Sequence, residues 1–306
     1  MRSIKELMDY SYYYKLLSNR LKCILFHINP EIEIKRAYRK AFGVNPNLKE
    51  PNDLIEKIYY MELNCDVSLW TQCADKYRMR DYIEDKGLSH YLPKLLGVWN
   101  TIDEIDISPL PNEFVLKANN GCGDCLVVKN KQVVDIMSVK KHFKKYRRIN
   151  IGYDNSQIHY LGIKPCIIAE ELLHQDETEK VFSPTSLVDY KMWCINGQPE
   201  SVWVAYNRHN GFMVNMALFD VDWNPMPQFL KDTKLETYKP GDFIPKPVCL
   251  NEMIEVAKKI AAPFPELRLD FYVIDGRPYI GEMTFTSGYG FFTYDYYKYL
   301  GQKVLV

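Results

Sequence analysis

No sign of charge dominates this chain: 39 lysines and arginines meet 39 aspartates and glutamates, which removes any global attraction to nucleic acid. A Gly-x-Ser-x-Gly elbow is missing, and with it a serine-hydrolase reading. The six histidines, at 27, 90, 142, 159, 174 and 209, never fall at His-x-x-x-His spacing, which argues against a histidine metal centre. Of eight cysteines, Cys122 and Cys125 form one Cys-x-x-Cys, and no second pair stands at zinc-finger spacing. With no signal-peptide pattern ahead of them these thiols fit a reducing compartment, so the expected localisation is cytoplasmic. Long apolar runs are missing too: the most apolar stretch, Tyr10 to Ile28, carries Lys15, Arg20 and Lys22 and is too charged to span a bilayer. Nor is there an internal repeat or low-complexity tract.

What is present is 306 residues with 47% hydrophobic content, about two domains' worth of chain. Helical spacing covers Met1 to Lys22 and Glu31 to Ala41, breaks at Pro46 to Pro51, and resumes over Asp53 to Leu63 and Asp75 to Lys86. The Tyr10 to Ile28 stripe is expected to pack on the body of the protein, with peripheral association at the inner face of the membrane as its second placement. The basic run Lys140 to Arg148 reads as a solvated helix end. Attraction to a polyanionic substrate or a membrane ranks next, and no aromatic stacking array accompanies it to favour nucleic acid.

Near the C-terminus, Leu267 to Thr284 reads as two alternating strands joined around Asp275-Gly276, with an acid near the outer end of each. Register decides what those acids do. A three-residue loop sets Ile274 opposite Pro278, Tyr272 opposite Ile280 and Asp270 opposite Glu282, flanked by Arg268 and Thr284. It also gathers Leu269, Phe271 and Val273 with Tyr279, Gly281 and Met283 on one apolar face. A two-residue turn would mix Glu282 with Leu269 and scatter the acids, so the three-residue loop is expected. Opposed like charges on a sheet are destabilising unless neutralised, and a divalent cation taking carboxylate oxygens would neutralise them. The other reading is a pair of solvated acids on the wet face of an ordinary hairpin.

Upstream, Phe114 to Lys117 and Leu126 to Lys129 read as strands around an eight-residue loop, Ala-Asn-Asn-Gly-Cys-Gly-Asp-Cys. It is not a Walker A loop, which needs Lys-Ser/Thr running into a helix, and Gly121-Cys-Gly123 lacks the third glycine of a dinucleotide fingerprint. Such a loop can fold over phosphates with its amides donating, Lys117 adding a point charge, or it can be a long hairpin turn. Cys166 to Leu173 is a short apolar run ending in two acids, either a hinge offered to a purine or a buried strand. A further hairpin is signalled by Val188 to Ile195, an Asn196-Gly197 turn and Ser201 to Tyr206, with Asp189 and Lys191 alternating against Tyr190, Met192 and Cys194.

A lysine before a glycine loop, a strand ending in Glu-Glu-Leu, then an acid and Glu-x-Thr on a C-terminal hairpin resemble, in that order, the ATP-grasp fold of ATP-dependent carboxylate-amine ligases. The wording of Ala74 to Tyr82, Tyr91 to Trp99, Phe114 to Asp124 and Ile280 to Phe285 is similar to the TupA-like branch, linked to bacterial surface polysaccharides and teichuronopeptides. The resemblance implies an α+β fold in which two α+β subdomains with antiparallel sheets sandwich ATP. A helical region over 1–75 would precede an ATP-grasp domain over 76–306, with a glycine-loop subdomain at about 106–170 and a metal-binding subdomain at about 171–306. ATP and Mg2+ are the implied cofactors.

Carried over position by position, Lys76 and Lys117 match the lysines that reach phosphates, and Asn119, Asn120, Gly121 and Gly123 the loop beneath which the phosphates lie. Glu170, Glu171, Leu172 and Leu173 match the adenine hinge, and Asp270 and Glu282 the metal-binding acids. Thr284 stands where many members have asparagine and still offers a metal an oxygen; Thr286 stands where some have arginine, and Arg268 is the substitute for stabilising an acyl phosphate. Lys191 and Arg208 resemble groups that meet phosphate or a substrate carboxylate, solvent-facing charges being the other reading. The implied partners are a small-molecule or glycan carboxylate and an amine, with no nucleic acid. Two rivals stand beside this: a nucleotide-sugar glycosyltransferase with Asp220-Val-Asp222 as its metal motif, and a nucleotide-binding scaffold without turnover.

Overall fold

The structure is a computed structural model in which residues 4–121, 125–209, 213–231, 244–287 and 290–306 are described. In chain order the helices are α1 (Ile4–Ile28), α2 (Glu31–Phe42), α3 (Leu54–Asn64), α4 (Ser68–Ala74), α5 (Met79–Asp85), α6 (Ile136–Tyr146), α7 (Ile158–Leu161), α8 (Glu177–Lys180), α9 (Leu250–Ala261) and α10 (Tyr294–Lys303). The strands are β1 (Leu95–Trp99), β2 (Phe114–Ala118), β3 (Cys125–Val128), β4 (Ile167–Glu170), β5 (Asp189–Ile195), β6 (Gln198–His209), β7 (Met213–Asp220), β8 (Glu266–Ile274) and β9 (Arg277–Thr284). They form two compact units, each discontinuous in sequence: Met1–Pro46, Cys65–Arg78 and Lys94–Leu172, and Asn47–Asn64, Met79–Pro93 and Leu173–Val306. The helical first 75 residues are therefore not a unit of their own, since α3 counts with the second unit and α1, α2 and α4 with the first.

The first unit holds a four-stranded antiparallel sheet in the order β1-β4-β2-β3. Alternation along β2 sends Phe114, Leu116 and Ala118 to one face, where they join Ile167 and Ala169 of β4 and are covered by Val139 and Phe143 of α6. That helix starts at Asp135, whose carboxylate accepts from the backbone N–H groups of Met137 and Ser138, a cap that satisfies two otherwise orphaned donors. The opposite face is left with Val115 and Lys117 of β2 and Ile168 and Glu170 of β4.

The second unit holds a five-stranded antiparallel sheet, β7-β6-β5-β8-β9. Its apolar face, with Met192, Leu267, Leu269 and Phe271 buried, is covered by α9, which buries Met253, Val256, Ala257 and Ile260. Part of the other face is covered by aromatics at and before α10: Trp193 meets Phe292 and Tyr296 edge-on, and Ser201 bonds the Tyr296 hydroxyl. The turn between β5 and β6 is the one the sequence predicted, with Asn196 and Gly197 at φ 47° and 76°, the left-handed pair of a type I′ hairpin.

Candidate functional site

The β8–β9 hairpin reaches the expected pairing of its acids by an unexpected route. Ile274 pairs with Arg277 across a two-residue turn in which Asp275 and Gly276 have φ of 50° and 70°. The three-residue loop is thus corrected: Tyr272 pairs with Tyr279 and Phe271 with Ile280. Asp270 still lies opposite Glu282, and Arg268 opposite Thr284, because the register shifts between Asp270 and Phe271, where Gly281 is the extra residue. One additional residue in β9 restores the alternation that the short turn would have reversed. Glycine is needed there, since a Cβ at position 281 would sit 2.8 Å from Cε2 of Tyr272.

Asp270 is buried on the face opposite α9, and its neutralisation differs from the expectation. Arg268 grips it with two bonds, Nε to Oδ1 at 2.7 Å and Nη2 to Oδ2 at 2.9 Å, and Lys191 of β5 donates to Oδ2 at 2.5 Å. Two cations already neutralise Asp270, so its opposition to Glu282 does not by itself require a metal. The physical reason is cross-strand geometry: Lys191 is the direct ladder partner of Asp270, close enough for a charge-assisted bond. Burial pushes the Asp270 carboxyl up, but the charges and hydrogen bonds of Arg268 and Lys191 outweigh it and hold the group below the ordinary carboxylate value.

The array continues on both sides. Arg268 also donates to Thr284 Oγ1 at 3.0 Å and to Ser287 Oγ at 3.3 Å. Lys191 lies 3.5 Å from Asp189, which in turn pairs with Arg208 at 2.8 Å. Arg208, Asp189, Lys191, Asp270 and Arg268 thus alternate in sign across β6, β5 and β8. Trp203, the β6 partner of Lys191, places its ring 5.8 Å from that ammonium and 5.6 Å from the Arg268 guanidinium. Asp189 and Trp203 were not among the sequence candidates. The Asp-x-Lys spacing on β5 carried a signal for the first; nothing in the sequence placed Trp203.

The other candidates, Leu173 excepted, lie in the first unit. Lys117 points from β2 to the buried Glu170 of β4, Nζ to Oε2 at 2.6 Å. Lys76 lies in a turn rather than in the expected helix: Asp75 accepts from the backbone N–H groups of Tyr77 and Arg78, delaying helix formation to Met79. From there its backbone N–H reaches Asn119 O at 3.0 Å and its Nζ reaches Gly121 O at 2.9 Å. Asn119 is corrected from phosphate contact to scaffold. Its side chain is fully buried, donating to Lys164 O at 2.9 Å and accepting from Cys166 N at 2.8 Å. Asn120 is half-buried and Gly121 buried, while Gly123 and Cys122 lie outside the described residues. Glu171 exchanges bonds with Lys94 at both its backbone N–H and its carboxylate, and the division between the units falls between Leu172 and Leu173.

Asp270, Glu282 and Thr284 offer only oxygen donors from adjacent positions of one hairpin, the donor type magnesium takes. Among the described residues no three or more His, Cys, Asp or Glu cluster as a metal cage. Magnesium does not need one, being commonly held by one or two carboxylates plus phosphate oxygens and water. The residues fit that ion. Asp220 of the rival motif accepts instead from the backbone N–H groups of Asp222 and Asn224 and from the Asn224 amide, and is occupied in closing a turn.

Two antiparallel sheets flanked by helices, one carrying Lys117, with Lys76 in a turn of the same unit, and the other carrying opposed carboxylates, define an α+β fold of the ATP-grasp class. The chain belongs to the TupA-like ATP-grasp family, whose model matches residues 56–305. Among solved structures it is similar to D-alanine–D-alanine ligase from Bacillus anthracis complexed with ATP, at 12% identity and TM-score 0.42, covering 78% of this chain and 64% of that one. It is also similar to L-amino acid ligase from Bacillus licheniformis, at 15% identity and TM-score 0.44, with 74% and 47% covered. N5-carboxyaminoimidazole ribonucleotide synthetase in its ADP complex gives 14% and 0.43, with 76% and 51% covered. The chain spans between 47% and 64% of the length of these structures. The comparison with curated proteins gave no match.

Proposed function

We propose that this protein is an ATP- and magnesium-dependent, ADP-forming carboxylate-amine ligase that modifies a bacterial surface polysaccharide or its precursor, such as that of a capsule. The opposition of Asp270 and Glu282 beside Arg268 and Lys191 carries the reading, and membership of the TupA-like ATP-grasp family supports it. Lys76 and Lys117 offset triphosphate charge, with the loop from Asn120 onward donating backbone N–H groups and Glu170 to Leu173 serving the adenine. Asp270, Glu282 and Thr284 hold magnesium, which when bound draws charge from the transferring phosphoryl group. Arg268, Lys191 and Arg208 orient the substrate carboxylate and stabilise the charge of the acyl phosphate.

A carboxylate oxygen of the substrate attacks the γ-phosphorus in line and ADP leaves. An amine nitrogen then attacks the activated carbonyl, phosphate leaves, and the amine proton is released. Every contribution of the protein is positioning and charge, so no protein nucleophile is required. Alternating pairs suit this role: each cation is held in place by an acid before any substrate arrives, which lowers the cost of orienting it.

Incubation with ATP, magnesium and panels of uronic acids or amino acids plus amines tests the reading, with ADP release dependent on both carboxylate and amine as the expected result. Release of a nucleoside diphosphate from a nucleotide-sugar donor, with none from ATP, would establish the glycosyltransferase. Binding of ATP and magnesium without ADP across the panel would favour a scaffold.

A further inference from the structure

We infer that α1 and the basic surface beside it form a docking site for an anionic lipid membrane. α1 is held to its unit by one face: Asn19 exchanges two hydrogen bonds with the backbone of Asn150, Lys22 pairs with Asp154 at 2.7 Å, and Phe26 meets Tyr153 edge-on. On the opposite face Tyr13, Tyr14, Leu17, Leu21, Ile24 and Ile28 point outward, each between 59% and 70% exposed. At helical periodicity these six fall within an arc of about 100° and follow about 22 Å of helix axis. A continuous apolar stripe of that extent in water marks an interaction surface, whereas singly scattered exposed apolar residues do not.

Charge selects the occupant. The chain as a whole is neutral, yet residues 12–46 and 136–148 together hold thirteen lysines and arginines, one of them the Lys22 paired with Asp154, against two glutamates. Those two, Glu31 and Glu33, are paired with Lys35 and Arg36. At one end of the stripe, Tyr12 and Tyr13 of α1 line a groove with Lys141, Lys144 and Lys145 of α6 and with Arg148 just beyond it. Tyr13 belongs to both surfaces, so stripe and groove are continuous. At the other end α2 follows directly and exposes Ile32 among Lys35, Arg36, Arg39 and Lys40. Cations therefore flank the stripe at both ends. A two-fold contact with a second copy would set this rim against itself, whereas an anionic bilayer takes the apolar side chains at its acyl boundary and the lysines and arginines among its headgroups. Among the described residues no helix is long and apolar enough to cross a membrane; α1 would lie in the plane of the surface.

Flotation of the full chain with vesicles of phosphatidylcholine and phosphatidylglycerol, against vesicles of phosphatidylcholine alone, tests the site. Binding to the mixed vesicles is expected to be about tenfold or more tighter than to neutral ones and to weaken with salt. Leu17→Asp with Ile24→Asp should remove it by about tenfold or more with an unchanged melting temperature, because both side chains are exposed. Lys141→Glu with Lys144→Glu should weaken it and flatten its salt dependence. Equal binding to both vesicle types, no binding to either, or full binding by the Leu17→Asp, Ile24→Asp variant would overturn the inference. So would a wild-type dimer that this variant makes monomeric, since a second copy would then cover the stripe.

Discussion

At the scale of single residues, the two proposed metal-binding acids differ in what else depends on them. Asp270 is buried between two cations, so Asp270→Asn is expected to lose magnesium-dependent ADP formation and also about 3 kcal/mol of stability, the usual result of leaving buried charge uncompensated. Glu282 is half-buried, and Glu282→Gln is expected to lose ADP formation with little change in melting temperature. Unchanged turnover in Glu282→Gln, measured over a magnesium titration, would remove the metal assignment. Lys117 is coupled to the buried Glu170 in the same way. Lys117→Ala should therefore weaken ATP binding and destabilise the first unit together. Adding Glu170→Gln should restore stability but not nucleotide affinity, and a double-mutant cycle with both readouts separates the two. Restored affinity in the double variant would assign Lys117 to structure alone.

At the scale of elements, the β8–β9 hairpin shows where local sequence stops being informative. Asp275-Gly276 is a strong signal for a two-residue turn, and the strands either side were legible from their alternation. The bulge was not legible, because Gly281 has no side chain to break the pattern and the ring that packs over it, Tyr272, stands on the neighbouring strand. Gly281→Ala is expected to cost about 1–3 kcal/mol by overpacking and to lower ADP formation by disturbing the Asp270–Glu282 pairing. Tyr272→Ala added to it should recover stability in denaturant unfolding; failure of that rescue would show that the glycine is required by the bulged backbone and not by the ring.

At the scale of the whole molecule, buried acids set the response to pH. Burial raises Glu266 to about 8 despite a hydrogen bond from Trp193 and the charge of Arg268, and raises Glu179 to about 7 despite one from Tyr190. Between the ordinary carboxylate value of 4.5 and these values the unfolded chain has released protons that the native protein keeps. Stability therefore falls as pH rises through that window, by about 1.4 kcal/mol per unit for each group. Asp270 runs the other way, its contribution being present above the ordinary value and lost as pH falls through its lowered native value. Glu266→Gln is expected to flatten the decline between pH 5 and pH 8 in chemical denaturation, within the bounds set by about 1.4 kcal/mol per unit. A slope identical to the wild type would mean that this carboxyl is ionised in the folded protein.

The sequence by itself determined the family and with it the α+β class, because the motifs that carry the resemblance stand in order along the chain, and it determined the strand alternation, which is a periodic signal. The opposition of Asp270 to Glu282 was expected from a three-residue loop, but the structure reaches it through a two-residue turn and a bulge at Gly281. Only the tertiary structure decided that Lys191 and Arg268 neutralise Asp270, that Asn119 is a buried scaffold and that Trp203 lies beside both cations. Those outcomes depend on which strands neighbour one another: β5 lies between β6 and β8, residues far apart in the chain. Pairing across a sheet brings together side chains that no local pattern relates, and the charge and burial of each follow from that meeting.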